Sequence, residues 1–350
     1  MIVNKISLKN FRNHKDISLN FSTSLNIITG DNGVGKTNIV EAIYYLSLAR
    51  SFKGVEDNNL IKEGCDYASI DAIISEGDIK RTIRVLITKT GRKIFINNKP
   101  VSKLSELSNV VNVVLFEPKD VMIFRGLPKA RRDFIDINLS KKSSPYLNYL
   151  SKYEKLLKDR NNLLKGETVD MALLETNTEM LIKIAGYIVS YRQMYVKDIN
   201  DILNKITRAL TGVKWEIEVI YHPYVTYDKD YVDNAKNAFN KALESDLRRK
   251  VTSIGPHRED FVVTLNKQEI GQFGSQGENR LAALALKLCP YFLIEDKDKR
   301  PIVVLDDVMS ELDRQHKEQL INFLKKFEQV FITATKLEIN GATQFHISKI

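Results

Sequence analysis

Residues 28–42 read ITGDNGVGKTNIVEA, between an apolar run and an amphipathic one, and no other stretch constrains the chain as much. Gly30, Asp31, Asn32, Gly33, Val34, Gly35, Lys36 and Thr37 fit G-x-x-x-x-G-K-[ST] after a strand-like segment and before a helix-like one, the setting in which that pattern cradles phosphate. Glycines let the backbone bring its N–H groups against phosphate oxygens. Lys36, expected as an exposed phosphate ligand, reaches the β and γ phosphates, and Thr37 offers its hydroxyl to Mg²⁺. A chance glycine turn with this pattern would arise somewhere in 350 positions roughly once in a hundred such chains. The expectation is an ATP-binding α/β protein.

A second element must hold the metal, and RPIVVLDDVMSELD supplies it. The apolar run Ile302 to Leu305 predicts a buried strand that delivers Asp306 and Asp307 at its C-terminal end. Asp306 suits the Mg²⁺ shell. Asp307 is placed to orient or deprotonate the attacking water, which makes Asp307 and Lys36 the catalytic candidates. An exposed acidic turn after a core strand is the bland alternative, and the phosphate loop argues against it. The third element, FGSQGENRLAALALKL, joins Ser275, Gln276 and Gly277 to an apolar helix, an anion site by geometry. Pro290 is expected to kink or end that helix. VFITAT then predicts another core strand, ending at Thr335.

Along the rest of the chain, IVNKISLKNF, DISLNFS, SLNIITG, YASIDAIIS, IKRTIRVLIT and RKIFINNKPV have strand character, the last two paired across KTGRK. A helix is expected from about Lys36 to Ala49. From about Lys129 the apolar period becomes helical, and strand character resumes at KWEIEVIYHPYV and DFVVTLN. The predicted organisation is a head in two parts, 1–128 and 213–350, with a helical lobe inserted at 129–212.

Composition bounds the partners. There are 53 basic and 44 acidic side chains, a net charge of +9, which is compatible with a polyanion without requiring one. Cys65 and Cys289 are too few and too far apart for a disulfide framework, and no stretch approaches the roughly 18 uncharged apolar residues of a membrane span. A cytoplasmic protein is expected.

Beyond the three nucleotide motifs, LKNFRNH, LARSFKG, VVLFEPKDVMIFRGLPKARRDFID and SIGPHRED stand in this chain as they do in the RecF family of the SMC and ABC-type ATPase superfamily, which the chain resembles from end to end. The resemblance implies an ABC-type head, a mixed-sheet P-loop fold, with a helical second lobe. It implies a homodimer that closes on DNA around two ATP molecules, with Ser275, Gln276 and Gly277 meeting the γ-phosphate held by the other chain. Ser310 and Asp313 fall in that family's dimer-contact loop and Thr335 in its switch position. The implied activity is a weak DNA-dependent ATPase, with ATP and Mg²⁺, that promotes RecA loading at gapped DNA together with RecO and RecR. ABC transport ATPases, the principal rival class, usually carry Glu and His where this chain has Asp307 and Thr335; the shorter carboxylate and the non-basic hydroxyl suggest slow turnover. A small-metabolite kinase would have no use for the Ser-Gln-Gly turn.

Softer candidates complete the list. Glu117 is the nearest match to a glutamine loop. Arg12 and Arg50 are candidates for nucleotide or partner contact, against the ordinary reading of surface arginine. His257 and Arg258 follow a turn-making Gly-Pro pair, where a structural histidine is commoner. Lys129, Arg131 and Arg132, and Arg248, Arg249 and Lys250, are basic clusters without a base-reading motif, so duplex or gapped DNA would be held by its phosphates.

Overall fold

The structure is a computed structural model that describes residues 1–103, 106–107 and 110–348. Its chain divides into two compact units. The first comprises Met1–Asp120, Lys205–Lys214 and the chain from Arg280 onward; the second comprises Val121–Asn204 and Trp215–Asn279.

The first unit holds two sheets. An antiparallel sheet is built from β1 (Ile2–Phe11), β2 (His14–Asn20), β4 (Tyr67–Glu76), β5 (Ile79–Thr88), β6 (Gly91–Ile96) and β7 (Lys99–Pro100), in the order β2-β1-β4-β5-β6-β7. Alternation dictates its inner face: Ala68, Ile70, Ala72 and Ile74 of β4 are buried, and so are Ile83, Val85 and Ile87 of β5. The other sheet is parallel, in the order β14 (Thr343–His346), β3 (Leu25–Thr29), β13 (Val330–Ala334), β12 (Ile302–Asp306) and β8 (Val113–Phe116). β8, β12 and β13 are buried at every residue, the signature of a parallel strand covered on both faces. Helix Lys36–Leu48 packs into the same core through Ile39, Val40, Ile43 and Leu46, and ends where Ala49 turns left-handed. This core positions the site, because parallel strands end on one edge. In register, Asp306 lies beside Thr333 and Leu305 beside Phe116, so the chain segments following β3, β8, β12 and β13 converge.

The second unit carries helices Pro128–Lys142, Ser144–Lys165, most of Met171–Thr211, and Tyr231–Arg249. It departs from the expected insertion at 129–212. β9 (Ile217–His222), β10 (Asp260–Leu265) and β11 (Gln268–Glu269) form their own antiparallel sheet, with Phe261 opposite Tyr221 and Leu265 opposite Ile217, rather than extending either sheet of the first unit. Helix Tyr231–Arg249 was not read from the sequence. The unit is pinned by two arginines. Arg192, 1% exposed, ion-pairs with Asp136 at 2.9 Å and Glu259 at 2.7 Å, while Arg160 pairs with Asp246 at 2.8 Å.

Candidate nucleotide site

The phosphate loop leaves β3 at Gly30 and enters its helix at Lys36. Two glycines have no substitute. At Gly30, with φ 145°, a Cβ would stand 2.1 Å from the carbonyl oxygen of Ile347; at Gly35, with φ 105°, it would stand 2.5 Å from both Asn13 Oδ1 and His14 Nε2. The β1–β2 turn therefore sits directly on the loop. Asn13 donates to Gly33 O at 3.3 Å, Asn38 donates to Asn13 Oδ1 at 2.8 Å, and His14 Nε2 lies 3.1 Å from Gly35 O. Burial lowers the His14 pKa, so the neutral ring donates its Nε2 proton to that carbonyl.

Lys36 is not exposed as expected. It is 8% exposed, and its Nζ donates to the carbonyls of Gly30 and Asp31, both at 2.8 Å. Asp31, Asn32 and Gly33 are exposed and Val34 is buried. Thr37 donates to Asp306 Oδ1 at 2.9 Å, and the same oxygen accepts from Thr333 Oγ1 at 2.7 Å. Burial raises the Asp306 carboxyl above its ordinary range, with the two hydroxyls and Lys53 opposing. Asp307 is exposed, in a left-handed conformation with φ 52°, and its N–H donates to Thr333 Oγ1 at 2.9 Å. The expected switch residue, Thr335, stands outside these bonds. Thr335 is exposed and meets the loop only through its carbonyl, 3.4 Å from Gly30 N, whereas Thr333 touches both aspartates. The two-residue difference places Thr333 beside Asp306 in the parallel register.

Glu117 follows β8, and burial raises its carboxyl despite Lys119 at 2.8 Å. Lys53 joins the site although its sequence position does not single it out. This side chain lines a cavity of about 240 Å³ together with Lys36, Thr37, Asn38, Asp307 and Thr333, and bonds Asn38 Oδ1 at 3.1 Å. It is also 3.3 Å from Glu41, a wholly buried carboxylate. Burial alone would raise Glu41, but Arg12, Ser51 and Lys53 bring it below its ordinary value. Arg12 is accordingly a structural cation, bonding both Glu41 oxygens, at 3.0 and 2.6 Å, and Asn59 O at 2.9 Å. LARSFKG contained the signal for Lys53, but nothing local distinguished it from the exposed Arg50.

Ser275 caps helix Gln276–Phe292. Its N–H donates to Glu278 Oε2 at 2.8 Å and its Oγ accepts from Glu278 N at 3.2 Å, a reciprocal box, while Gln276 and Gly277 are exposed. Beneath it the buried Asn279 donates to Gly274 O and Ser275 O, both at 2.9 Å. The helix runs through Pro290 and stops two residues later, at Phe292. Ser310 donates to Asp307 O at 2.9 Å; Asp313 caps helix Arg314–Leu324 by accepting from His316 N at 2.9 Å.

The basic clusters divide. Arg131 forks onto Asp260 at 2.7 and 2.8 Å and donates to Ile123 O and Gly126 O; Arg132 donates to Glu259 O at 2.7 Å. Both have structural duties, since their donors serve the second unit's own framework, and Lys129 pairs with Asp133 at 2.6 Å. Arg248, Arg249 and Lys250 are exposed at the end of helix Tyr231–Arg249. His257 is structural too, between Tyr153 OH at 2.7 Å and Thr252 O at 3.1 Å, while Arg258 is exposed. No helix among the described residues is long and apolar enough to cross a membrane.

A parallel sheet whose strand ends carry a phosphate loop and a threonine-held aspartate pair defines a P-loop ATPase head of the ABC and SMC kind. A family model described as the RecF/RecN/SMC N terminal domain matches residues 2–346. Over 343 residues the chain is 37% identical to the DNA replication and repair protein RecF of Lachnoclostridium phytofermentans, covering 97% of this chain and 94% of that protein. The RecF of Clostridium novyi is 36% identical over 343 residues, 96% of this chain and 94% of the other. The chain belongs to the RecF family. A solved structure of the recombination mediator protein RecF with ATP in the RecFOR pathway matches with TM-score 0.88 at 31% identity, covering 98% of this chain and 95% of that one. The Smc head domain of Pyrococcus furiosus, at TM-score 0.59 and 16% identity over 95% of this chain and 89% of that one, shares the fold.

Proposed function

We propose that the chain is an ATP-switched DNA-binding protein of recombinational repair and replication restart, acting in the cytoplasm. Two copies close around two ATP molecules on duplex or gapped DNA, hydrolyse them slowly as a weak DNA-dependent ATPase, and promote RecA loading with RecO and RecR. The observation that carries the nucleotide part is Thr37 bonded to Asp306 at 2.9 Å beside Lys36 and Asp307. The relatives described as RecF in the RecFOR pathway, one with ATP, support the pathway.

Each residue then has a duty. Lys36 exchanges its two loop carbonyls for β and γ phosphate oxygens, and the exposed loop N–H groups face the same charge. Among the described residues no three acidic, His or Cys side chains gather as a metal cage. A hydroxyl and one carboxylate still fit Mg²⁺, which keeps waters and phosphate oxygens in its shell. Thr37 and Asp306 would hold the ion, which would supply positive charge to offset that of the nucleotide's phosphates. Asp307 aligns the attacking water and accepts its proton. In the dimer, the Ser275 hydroxyl and the N–H groups of Gln276 and Gly277 meet the partner's γ-phosphate, so ATP rather than ADP closes the pair, with Ser310 and Asp313 at the contact.

Mixing two variants tests this reading. Ser275→Arg should bind ATP as a single chain yet fail to dimerise with it in analytical ultracentrifugation, because a long cation replaces a small cap. Combined with Lys36→Ala chains, it leaves one composite site with both defects and one with neither, and some ATP-dependent heterodimer should return. Normal ATP-dependent dimerisation by Ser275→Arg alone would overturn the arrangement in trans.

A further inference from the structure

The helix capped by Ser275 carries Arg280 one turn further on. Arg280 reaches the segment that follows Asp307: Nη1 donates to Glu311 O at 2.5 Å and Nη2 lies 2.5 Å from Glu311 Oε2. One guanidinium thus grips both the backbone and the carboxylate of one residue, the geometry that distinguishes arginine from lysine. Among the described residues the buried Nε has no hydrogen-bond partner, so the grip on Glu311 falls to Nη1 and Nη2. Glu311 belongs to a short turn that is itself tied back to the catalytic candidate. Its N–H donates to Val308 O at 3.2 Å, and Ser310 Oγ donates to Asp307 O at 2.9 Å. Asp307 is in turn fixed by its N–H to Thr333 Oγ1, which bonds Asp306. Hydrogen bonds joined through the backbone of Ser310–Glu311 and of Asp307 therefore connect helix Gln276–Phe292 to the aspartate pair.

We propose that Arg280 is a positioning residue that couples the chain's two half-sites through Glu311. This rests on the reading above, in which the Ser275 turn serves the partner's nucleotide while Asp307 serves the chain's own. Under that arrangement a γ-phosphate engaged by Ser275 restrains the helix, Arg280 transmits the restraint to the Met309–Glu311 turn, and the Asp307 backbone is held in its left-handed conformation. Each ATP bound in one site then sets the geometry of hydrolysis in the other. The two sites fire together because one short ion pair joins them. Arg280 touches neither nucleotide; its effect is on when Asp307 is in place.

Steady-state ATPase kinetics of the full-length protein with saturating duplex DNA tests the coupling, with fluorescent-ATP binding to the single chain as control. Arg280→Ala should lower kcat about tenfold or more and bring the Hill coefficient for ATP from near 2 towards 1, with single-chain ATP affinity unchanged within twofold. Arg280→Lys, which keeps the charge and packing but loses the double grip, should lie between. The charge exchange Arg280→Glu with Glu311→Arg should recover part of the cooperativity that either change alone removes. Parent-like kcat and Hill coefficient in Arg280→Ala would overturn the proposal, and so would a parallel loss of single-chain ATP affinity. Failure of the heterodimer experiment would instead refute the arrangement in trans, so the two failures are separable.

Discussion

Asp307 combines an exposed carboxylate with a left-handed backbone at φ 52°, a conformation that Asp tolerates better than most residues but that still strains the chain. The strain is fixed by the bond from its N–H to Thr333, so the carboxylate is aimed by a neighbouring strand rather than by its own loop. Asp307→Asn keeps the shape and the short polar side chain. It should bind ATP and dimerise like the parent but hydrolyse ATP more slowly by a factor of roughly 10² to 10⁴, the usual worth of a general base. Single-turnover measurements check this, and unchanged turnover would move the role elsewhere. Motif residues of this kind were legible because their chemistry is local: a lysine and a threonine closing a glycine loop, and a carboxylate pair ending an apolar run. Thr333 and Lys53 were not. Thr333 earns its place through the parallel register with Asp306, and Lys53 through a buried carboxylate at position 41; neither relation leaves a mark on the adjacent residues.

Elements were legible where burial is one-sided or complete, because alternation and uninterrupted apolar runs report those two conditions directly. Most strands of the first unit follow from that, down to the turn between Thr88 and Gly91, whereas β8 and β14 lie outside the strands expected from the sequence. What the pattern of a strand does not report is which sheet it joins. β9 and β10 have the same alternation as head strands, yet they pair with each other, and the buried Arg192 on helix Met171–Thr211 locks them to the helices through Glu259. His257 belongs to this lock. It accepts from Tyr153 of helix Ser144–Lys165 and donates to Thr252 O, and burial, with Arg258 and Arg132 adding repulsion and Asp246 opposing, lowers its pKa to about 4. The unfolded chain, with a histidine pKa near 6.5, binds more protons between those two values. The stability His257 contributes is therefore present above about pH 6.5 and lost as pH falls towards 4, by up to ~3 kcal/mol. Urea unfolding of the parent and of His257→Gln at pH 7 and at pH 4.5 checks it: the variant should be less stable at pH 7, but its stability should fall less between the two. Equal losses in both would show that other groups carry the acid sensitivity.

At the scale of the molecule, a net charge of +9 does not by itself locate a polyanion, because many of these cations are occupied within the protein. Arg12, Arg131, Arg160 and Arg192 all have carboxylate partners, and Arg131 was among the residues first read as DNA contacts. Of the two basic clusters, the one at Arg248, Arg249 and Lys250 is exposed, at the C-terminal end of helix Tyr231–Arg249. Two physical readings compete there. Cations at a helix C-terminus favour the helix dipole, worth about 0.3–1 kcal/mol each when exposed, and that alone would explain the cluster. If they also meet phosphates, each contact releases counterions, and the logarithm of the DNA affinity falls with the logarithm of salt by about 0.9 per phosphate neutralised. Replacing all three with Gln should then reduce that slope by about 2 to 3, equally for duplexes of unrelated sequence, because phosphate contacts carry no base information. Arg131→Ala serves as the contrast: it should lower the thermal midpoint and leave the slope of the remaining folded protein unchanged, since its guanidinium is engaged by Asp260. A triple variant with the parent's salt slope and only a modest loss of helix stability would assign the cluster to the dipole and place the DNA on another face.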